Sequence, residues 1–118
     1  MSANRDSVYL KHLMDFNVVP IITWSYDGGI LTANDAFLDL IGYSREEMES
    51  GAINWRNLTP EEYLPLDEHC FHQLTATPVA TPYVKEYVRK DGERVVIKLF
   101  IGRDLETPEQ GVAIIIKI

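Results

Sequence analysis

The sequence predicts an α+β domain in which an antiparallel sheet is covered by helices on one face. Three observations support this prediction: two short strand-like segments early in the chain, several short helical segments in its middle, and three further strand-like segments toward its end. Of the 118 residues, 46% are hydrophobic and 25% are charged. This balance is that of a single folded domain with its own core.

The charge balance argues against nucleic acid as a partner. Eleven basic and eighteen acidic residues give a formal net charge of −7, and no run of Lys or Arg could neutralise a track of phosphates. For the same reason we expect no contact with an anionic membrane. No apolar run reaches the roughly 20 residues of a spanning helix, and the N-terminal MSANRDS lacks the apolar stretch of a signal peptide. Together with the lone Cys70, which cannot form an internal disulfide, these features predict a cytoplasmic location.

The first segment predicts an amphipathic helix. From Asn4 to Phe16, apolar residues recur every three or four positions, which is the spacing of one helix face. We assign residues 1–18 to this flanking helix and residues 19–118 to the domain itself. Met14 and Phe16 could pack either into the core or against a second copy of the chain.

The next segments predict a β-hairpin. Pro20 to Tyr26 is rich in β-branched and aromatic residues, which favour strands. Asp27-Gly28-Gly29 follows as a turn, and Ile30 to Ala33 forms the return strand. Because side chains alternate between the two faces of a strand, Trp24 shares a face with Ile22.

Two short helices follow the hairpin. Asn34 is a good N-cap because its side-chain oxygen can accept from the free N–H groups of the first turn. This helix runs through Ile41 and ends at Gly42, a typical left-handed C-cap. Ser44 and Glu47 then have the spacing of a capping box, so a second helix begins at once.

The segment TPEE predicts the start of the longest internal helix. Thr59 is placed as N-cap, Pro60 at the first helical position and a Glu at the third, and we expect the helix to run to about Thr75. Rotation by about 100° per residue puts one set of side chains on the inner side: Tyr63, Leu66, Asp67, Cys70, Phe71 and Leu74. His69 and His72 lie on the opposite side.

Three strands complete the chain. We predict them at Tyr83 to Lys90, Arg94 to Gly102 and Val112 to Ile118. Asp91-Gly92 joins the first two as a turn, and the polar segment 103–110 joins the last two.

Several of these segments, in this order, resemble the PAS family of sensory domains. They are DGGILTANDAFLDLIGYS at residues 27–44, NWRNLTPEEY at 54–63 with the helix that follows it, and PYVKEYVRKDGERV at 82–95. The resemblance extends from Val19 to Ile116 and is closest to the sensory-box type found in bacterial histidine kinases and similar signalling proteins. It implies a five-stranded antiparallel sheet whose concave face is covered by short helices and one longer helix, with a pocket between sheet and helices.

The resemblance also implies a function. In this family the pocket binds a small ligand or cofactor. Binding shifts the outer face of the sheet, and this shift is passed to an output domain. The domains commonly dimerise through an N-terminal helix. We therefore expect a sensory fragment of a longer protein, with a histidine kinase as output and a homodimer as the working form; the alternative is a dimerisation or protein-interaction domain with no bound ligand. The chain departs from the family at Lys117, where many members carry the acid of an Asp-Ile-Thr ending.

Ten residues are candidates for the lining of such a pocket. They are Trp24, Asn34, Phe37, Leu40, Trp55, Tyr63, Asp67, Cys70, Phe71 and Tyr87. Most of the apolar ones are more typical of a core than of a ligand contact, and Asn34 is more typical of a cap. Asp67 stands out because a carboxylate on an apolar helix face must be paired, hydrogen-bonded or protonated. Tyr83, Lys85 or a backbone N–H could satisfy it, or it could anchor a ligand amine or hydroxyl.

The resemblance suggests neither haem nor flavin as the cofactor, so the cofactor stays unknown and an unidentified small molecule is a possible ligand. In haem-binding relatives an iron-ligating His lies on the inner face of the long helix, where this chain has Asp67. Flavin-binding light sensors carry a photoactive Cys in an Asn-Cys-Arg-Phe-like motif, and Asn57-Leu58-Thr59 supplies none.

No arrangement of catalytic residues is visible. Cys70 lies on a different helix face from His69 and His72, so these residues cannot form a nucleophile and base pair. Metal ligands are sparse, and there is no glycine-rich phosphate loop. We therefore predict that the chain is not an enzyme.

Overall fold

The computed structural model describes residues 3–118, and side chains from residue 8 onward. Residues 1 and 2 of the predicted flanking segment lie outside the described residues. In chain order the elements are α1 (Ala3–Asp15), β1 (Ile21–Ser25), β2 (Ile30–Ala33), α2 (Asp35–Ile41), α3 (Arg45–Glu49), α4 (Trp55–Leu58), a 3-10 turn (Glu61–Tyr63), α5 (Leu64–Ala76), β3 (Tyr83–Val88), β4 (Arg94–Arg103) and β5 (Gln110–Lys117). No helix in this part of the chain has the length and apolar character needed to cross a bilayer.

The five strands form one antiparallel sheet in the order β2-β1-β5-β4-β3. The first and last strands of the chain therefore pair inside the sheet, with Ile22 opposite Ala113 and Trp24 opposite Gly111. This arrangement confirms the predicted α+β fold with a five-stranded antiparallel sheet.

The core lies on one face of the sheet. Along β4, buried Ile97 and Leu99 alternate with exposed Val96 and Lys98, as expected for a strand with one face toward solvent. Phe37 of α2 and Leu74 of α5 are fully buried in the same hydrophobic cluster. The helices thus cover the face that the strands bury.

Two predicted caps position the short helices. Asn34 Oδ1 accepts a hydrogen bond from the Phe37 N–H at 3.1 Å, and Gly42 ends α2 with a φ of +79°, a conformation that glycine adopts without a Cβ clash. Ser44 and Glu47 form the predicted capping box, with reciprocal bonds of 3.1 and 2.9 Å. These helix boundaries follow from local sequence.

The predicted start of the long helix was wrong. Thr59 has extended backbone angles, and its hydroxyl donates to the Trp55 carbonyl oxygen at 2.8 Å instead of capping a following helix. A 3-10 turn intervenes, and α5 begins at Leu64 with Pro65 in its first turn, where no N–H is required. Helix α4 was not predicted at all, although Asn54 caps it by accepting from the Asn57 N–H at 2.7 Å.

The inner side of α5 is narrower than predicted. Asp67, Cys70 and Leu74 are buried, at the i, i+3 and i+7 spacing of one face. Leu66 is 41% exposed, contrary to prediction, because it lies about 100° around the helix from Asp67, at the edge of that face.

The predicted N-terminal helix is present as α1. Leu10 and Met14 are half-buried in a groove shared with Thr23 of β1. Phe16 follows the helix and is 67% exposed, so it is not part of the core of this chain. Tyr9 is also exposed.

Candidate functional site: a buried ion pair in an aromatic pocket

A small cavity lies between the sheet and the helices that cover it. Its volume is about 20 Å³, and its lining residues come from the sheet, α4 and α5: Ile22, Trp24, Trp55, Asp67, Phe71, Tyr83, Lys85, Tyr87, Leu99, Ile101 and Ala113. The lining is apolar and aromatic except at one corner, where Asp67 and Lys85 meet.

Aromatic rings form one wall of the cavity. The Phe71 ring lies 5.4 Å from the Trp24 ring, 5.2 Å from the Trp55 ring and 4.8 Å from the Tyr26 ring, measured between centroids. Trp24 and Tyr26 are stacked nearly parallel. Phe71 is only half-buried, so the residue at the middle of this aromatic wall also reaches the protein surface.

A fully buried ion pair occupies the polar corner. Lys85 Nζ lies 2.9 Å from both carboxylate oxygens of Asp67, and the two side chains are only 2% and 4% exposed. Lys85 Nζ also donates to the Thr59 hydroxyl at 2.7 Å, and the Tyr83 hydroxyl donates to Asp67 Oδ1 at 2.6 Å. The three ammonium N–H groups of Lys85 therefore have three oxygen acceptors.

Burial governs the electrostatics of this corner. Desolvation lowers the pKa of Lys85, while the Asp67 carboxylate opposes that shift. Because both carboxylate oxygens lie within hydrogen-bond distance of Nζ, we assign Lys85 as protonated and the pair as neutral overall. Desolvation also raises the pKa of Tyr83 and of Tyr87, so both phenols are uncharged.

The pair is also in contact with aromatic faces. Lys85 Nζ lies 5.0 Å from the centroid of the Tyr87 ring and 5.8 Å from that of the Trp55 ring. Both distances are within the range of cation–π attraction, which compensates part of the cost of removing the ammonium from water.

The two indoles of the pocket differ in their hydrogen bonding. Trp55 Nε1 donates to the Ser25 carbonyl oxygen at 2.9 Å. Trp24 Nε1 is buried and has no acceptor among the described residues. The Trp24 ring extends over Gly111 on the neighbouring strand, where a Cβ atom would come within 2.4 Å of the ring.

Five of the ten candidate residues meet at this cavity. They are Trp24, Trp55, Asp67, Phe71 and Tyr87. They come from β1, α4, α5 and β3, so the pocket exists only once the sheet has closed under the helices.

The other five candidates do not line the cavity. Phe37 lies behind Tyr87, with ring centroids 6.1 Å apart in an edge-on contact, and Cys70 is buried in the hydrophobic cluster, where burial raises the pKa of its thiol to about 11. Leu40 and Tyr63 are half-buried elsewhere.

The side chain of Asn34, the last of these candidates, is hydrogen-bonded to backbone groups. Its Oδ1 accepts from the N–H groups of Ile21 and Phe37, and its Nδ2 donates to the Val19 carbonyl oxygen at 2.8 Å. The side chain therefore ties the entry of β1 to the start of α2.

Lys85, Tyr83 and Thr59 belong to the site but were not among the ten candidates. Tyr83 and Lys85 were expected only as possible partners of Asp67, and a signal for their place in the lining was present: in YVKEYV, alternation puts both on the same strand face as Tyr87. No local pattern marked Thr59, because its partner Lys85 is 26 residues away in the chain.

The arrangement offers apolar walls, one buried charged pair and one unpaired N–H donor. Within the described part of the chain, no group of three or more His, Cys, Asp or Glu residues could hold a metal ion. A five-stranded antiparallel sheet with helices and a small pocket on one face is the architecture expected for the family that the sequence resembles.

The chain belongs to the PAS domain family, whose model matches residues 18–117. PAS domains are generally non-catalytic signalling modules. A curated relative is the hybrid signal transduction protein dokA of Dictyostelium discoideum, which is 34% identical over 85 residues. That match covers 72% of this chain and 5% of the relative, so the chain corresponds to a small part of that protein.

Solved structures share the fold at low sequence identity. A domain of a sensory box sensor histidine kinase/response regulator from Geobacter sulfurreducens has a TM-score of 0.76 at 16% identity, covering 97% of this chain and 96% of that one. The PAS domain, in complex with ethanol, of a LuxR-family transcriptional regulator from Burkholderia thailandensis has a TM-score of 0.71 at 14% identity, covering 86% of this chain and 89% of that one.

Proposed function

We propose that this chain is a sensory module that binds a small ligand in the pocket beside Asp67 and Lys85. Binding is read out by an output domain, a histidine kinase, in a longer signalling protein that works as a homodimer in the cytoplasm. The observation that carries the proposal is a fully buried ion pair in the wall of an otherwise apolar cavity.

The ion pair supports binding better than it supports stability. Removing two charges from water costs several kcal/mol for each ion, and well-packed apolar residues often stabilise a core as well or better. Buried charged groups beside a cavity are more typical of functional sites. The Asp67–Lys85 pair has that location.

The size of the cavity limits the ligand. A volume of about 20 Å³ is that of a site for about one water molecule, whereas pockets for larger ligands have about 300–1,000 Å³. Binding of anything larger requires one lining side chain to move. Phe71 is suited to this movement because it lies at the centre of the aromatic wall and reaches the surface. The ethanol complex of the Burkholderia thailandensis domain supports a ligand of modest size.

The relatives support the proposed output. The curated relative is a hybrid signal transduction protein, and a structural neighbour is part of a sensor histidine kinase/response regulator. We further propose that β5, which ends at Lys117, takes part in the coupling to such an output domain. The lysine replaces the acid that many family members carry there, so we expect coupling through a different contact.

Mass spectrometry of the freshly purified protein under native conditions, with an absorption scan, tests ligand binding. The expected result is a bound species that is lost on denaturation. The matched variants are Asp67→Asn, in the pocket, and Asp39→Asn, on the exposed side of α2. Loss of the bound species in the first variant alone supports the site, and a ligand-free protein whose melting temperature responds to no small molecule contradicts the proposal.

A second candidate function is a ligand-free interaction domain. It is favoured by the apolar side chains on the outer face of the sheet, where Val84, Val96 and Ile116 are exposed, and by exposed Tyr9 and Phe16 near α1. Analytical ultracentrifugation of the wild type and of Val96→Glu tests it. A dimer that Val96→Glu dissociates, in a protein with an empty pocket, favours this function over sensing.

A further inference from the structure

The indole N–H of Trp24 is the polar group of the pocket whose hydrogen bond is missing. Trp24 is 3% exposed, its Nε1 atom has no acceptor among the described residues, and its side chain forms part of the cavity wall. Buried donors in folded proteins nearly always have an acceptor, either in the protein or in a bound molecule. The cavity is where such a molecule would lie.

The charges of the pocket are already balanced. The ammonium of Lys85 has its three acceptors in Thr59 Oγ1 and the two oxygens of Asp67. Asp67 Oδ1 accepts from both Lys85 and Tyr83, whereas Oδ2 accepts from Lys85 alone. The cluster therefore offers no free cationic donor for an anion, but Oδ2 can accept one more hydrogen bond.

A charged ligand would disturb this balance. A carboxylate would bring a second anion next to Asp67, and an ammonium would bring a second cation next to Lys85, in a site shielded from water where an unpaired charge is costly. A neutral molecule avoids that cost. A hydroxyl group matches the available atoms because it both accepts and donates a hydrogen bond.

We infer that this pocket selects a small neutral hydroxylic molecule, whose oxygen accepts from the Trp24 indole N–H and whose carbon body lies beside Trp55 in the space that the Phe71 side chain leaves when it moves. This inference rests on the proposed function and adds to it the chemical class of the ligand. The selectivity comes from Lys85 being fully occupied by Asp67 and Thr59.

Nuclear magnetic resonance of the indole N–H groups tests this inference directly. The chain contains two Trp residues, so a ¹H–¹⁵N spectrum has two indole signals, and Trp55 serves as an internal control because its N–H already donates to Ser25. The probes are 1-propanol, propanoate and propylammonium, which share a carbon skeleton and differ in charge. We expect 1-propanol to shift the Trp24 signal saturably while the Trp55 signal moves much less.

A pair of variants separates binding in the cavity from general solvent effects. Ala113→Val adds two methyl groups to the cavity lining, whereas Ala33→Val makes the same change at a buried alanine of another strand that does not line this cavity. The expected result is that Ala113→Val abolishes the saturable shift and Ala33→Val retains it. If Ala113→Val does not fold, Ile101→Phe provides a second way to fill the cavity.

The outcomes distinguish this inference from the proposed function. Binding of propanoate or propylammonium about tenfold or more tighter than 1-propanol overturns the neutral-ligand inference and leaves sensing intact. The neutral-ligand inference is also overturned if the Trp24 N–H donates only to water and its signal responds to none of the three probes. If native mass spectrometry then finds no bound species either, the proposed function fails as well.

Discussion

Lys85 of β3 and Asp67 of α5 form a bidentate ion pair in the interior, with both carboxylate oxygens 2.9 Å from Nζ. The contact joins the edge strand of the sheet to the helix that covers it. Thr59, which precedes α5, is held by the same ammonium. One buried cation therefore positions the helix, the segment before it and the strand, and also forms the polar corner of the pocket.

Removing one partner of this pair should destabilise the domain strongly. In Lys85→Met the Asp67 carboxylate remains buried without its cation, and we expect a loss of about 3–5 kcal/mol in the free energy of unfolding. The double variant Lys85→Met with Asp67→Leu should recover much of that loss, because no buried charge is left. Urea unfolding measures both changes. A double variant less stable than Lys85→Met alone would show that the pair is needed for folding itself.

Alkaline pH should destabilise the domain through Cys70. Burial raises the pKa of this thiol from its ordinary value of 9.0 to about 11. Between these values the unfolded chain releases the thiol proton and the folded chain keeps it, so the free energy of unfolding falls as pH rises. Burial also raises the pKa of Tyr83 and Tyr87 above 10.0, which extends the loss to higher pH. Urea unfolding at a series of pH values should show a shallower decline between about pH 9 and 11 for Cys70→Ala, and equal slopes would contradict the prediction.

Gly111 should not tolerate a side chain. An added Cβ would lie 2.1 Å from the Gly102 carbonyl oxygen and 2.4 Å from the Trp24 ring, so the strand and the indole would both have to move. We expect Gly111→Ala to cost about 3 kcal/mol in the free energy of unfolding, which is the upper end of the usual range for overpacking. Gly102→Ala is the comparison, since an added Cβ there would lie 3.3 Å from its nearest neighbour, the Pro78 carbonyl oxygen. This variant should lose much less free energy of unfolding. Thermal unfolding ranks the two, and equal melting temperatures would rule out the steric explanation.

Phe71→Ala should enlarge the pocket at a moderate cost in stability. Buried Phe→Ala changes cost about 3–5 kcal/mol, and we expect the low end of that range or less because Phe71 is half-buried. The enlarged cavity should bind small apolar molecules such as benzene, as engineered apolar cavities do, which a rise in melting temperature would detect. The matched control is Phe16→Ala, at a position that is 67% exposed, with an expected change within about 0.5 kcal/mol. A benzene response in that control would indicate binding outside the pocket.

Local sequence was sufficient to predict where an element begins when that position depends on residues a few places away. Asn34 with Phe37, and Ser44 with Glu47, are pairs three residues apart, and their geometry follows from the first turn of any helix. The sequence by itself therefore determined the caps of the short helices.

Only the tertiary structure decided which residues line the pocket and how large the pocket is. Thr59 has the sequence context of an N-cap, but its hydroxyl accepts a hydrogen bond from Lys85, 26 residues later in the chain. The hydroxyl is therefore part of the polar corner. Trp24 and Gly111 are neighbours because the first and last strands pair, and the size of the cavity depends on how Phe71 packs between rings from two other elements. Caps depend on backbone groups within one helical turn, whereas these contacts depend on strand register and on packing between elements distant in the chain, which no local pattern contains.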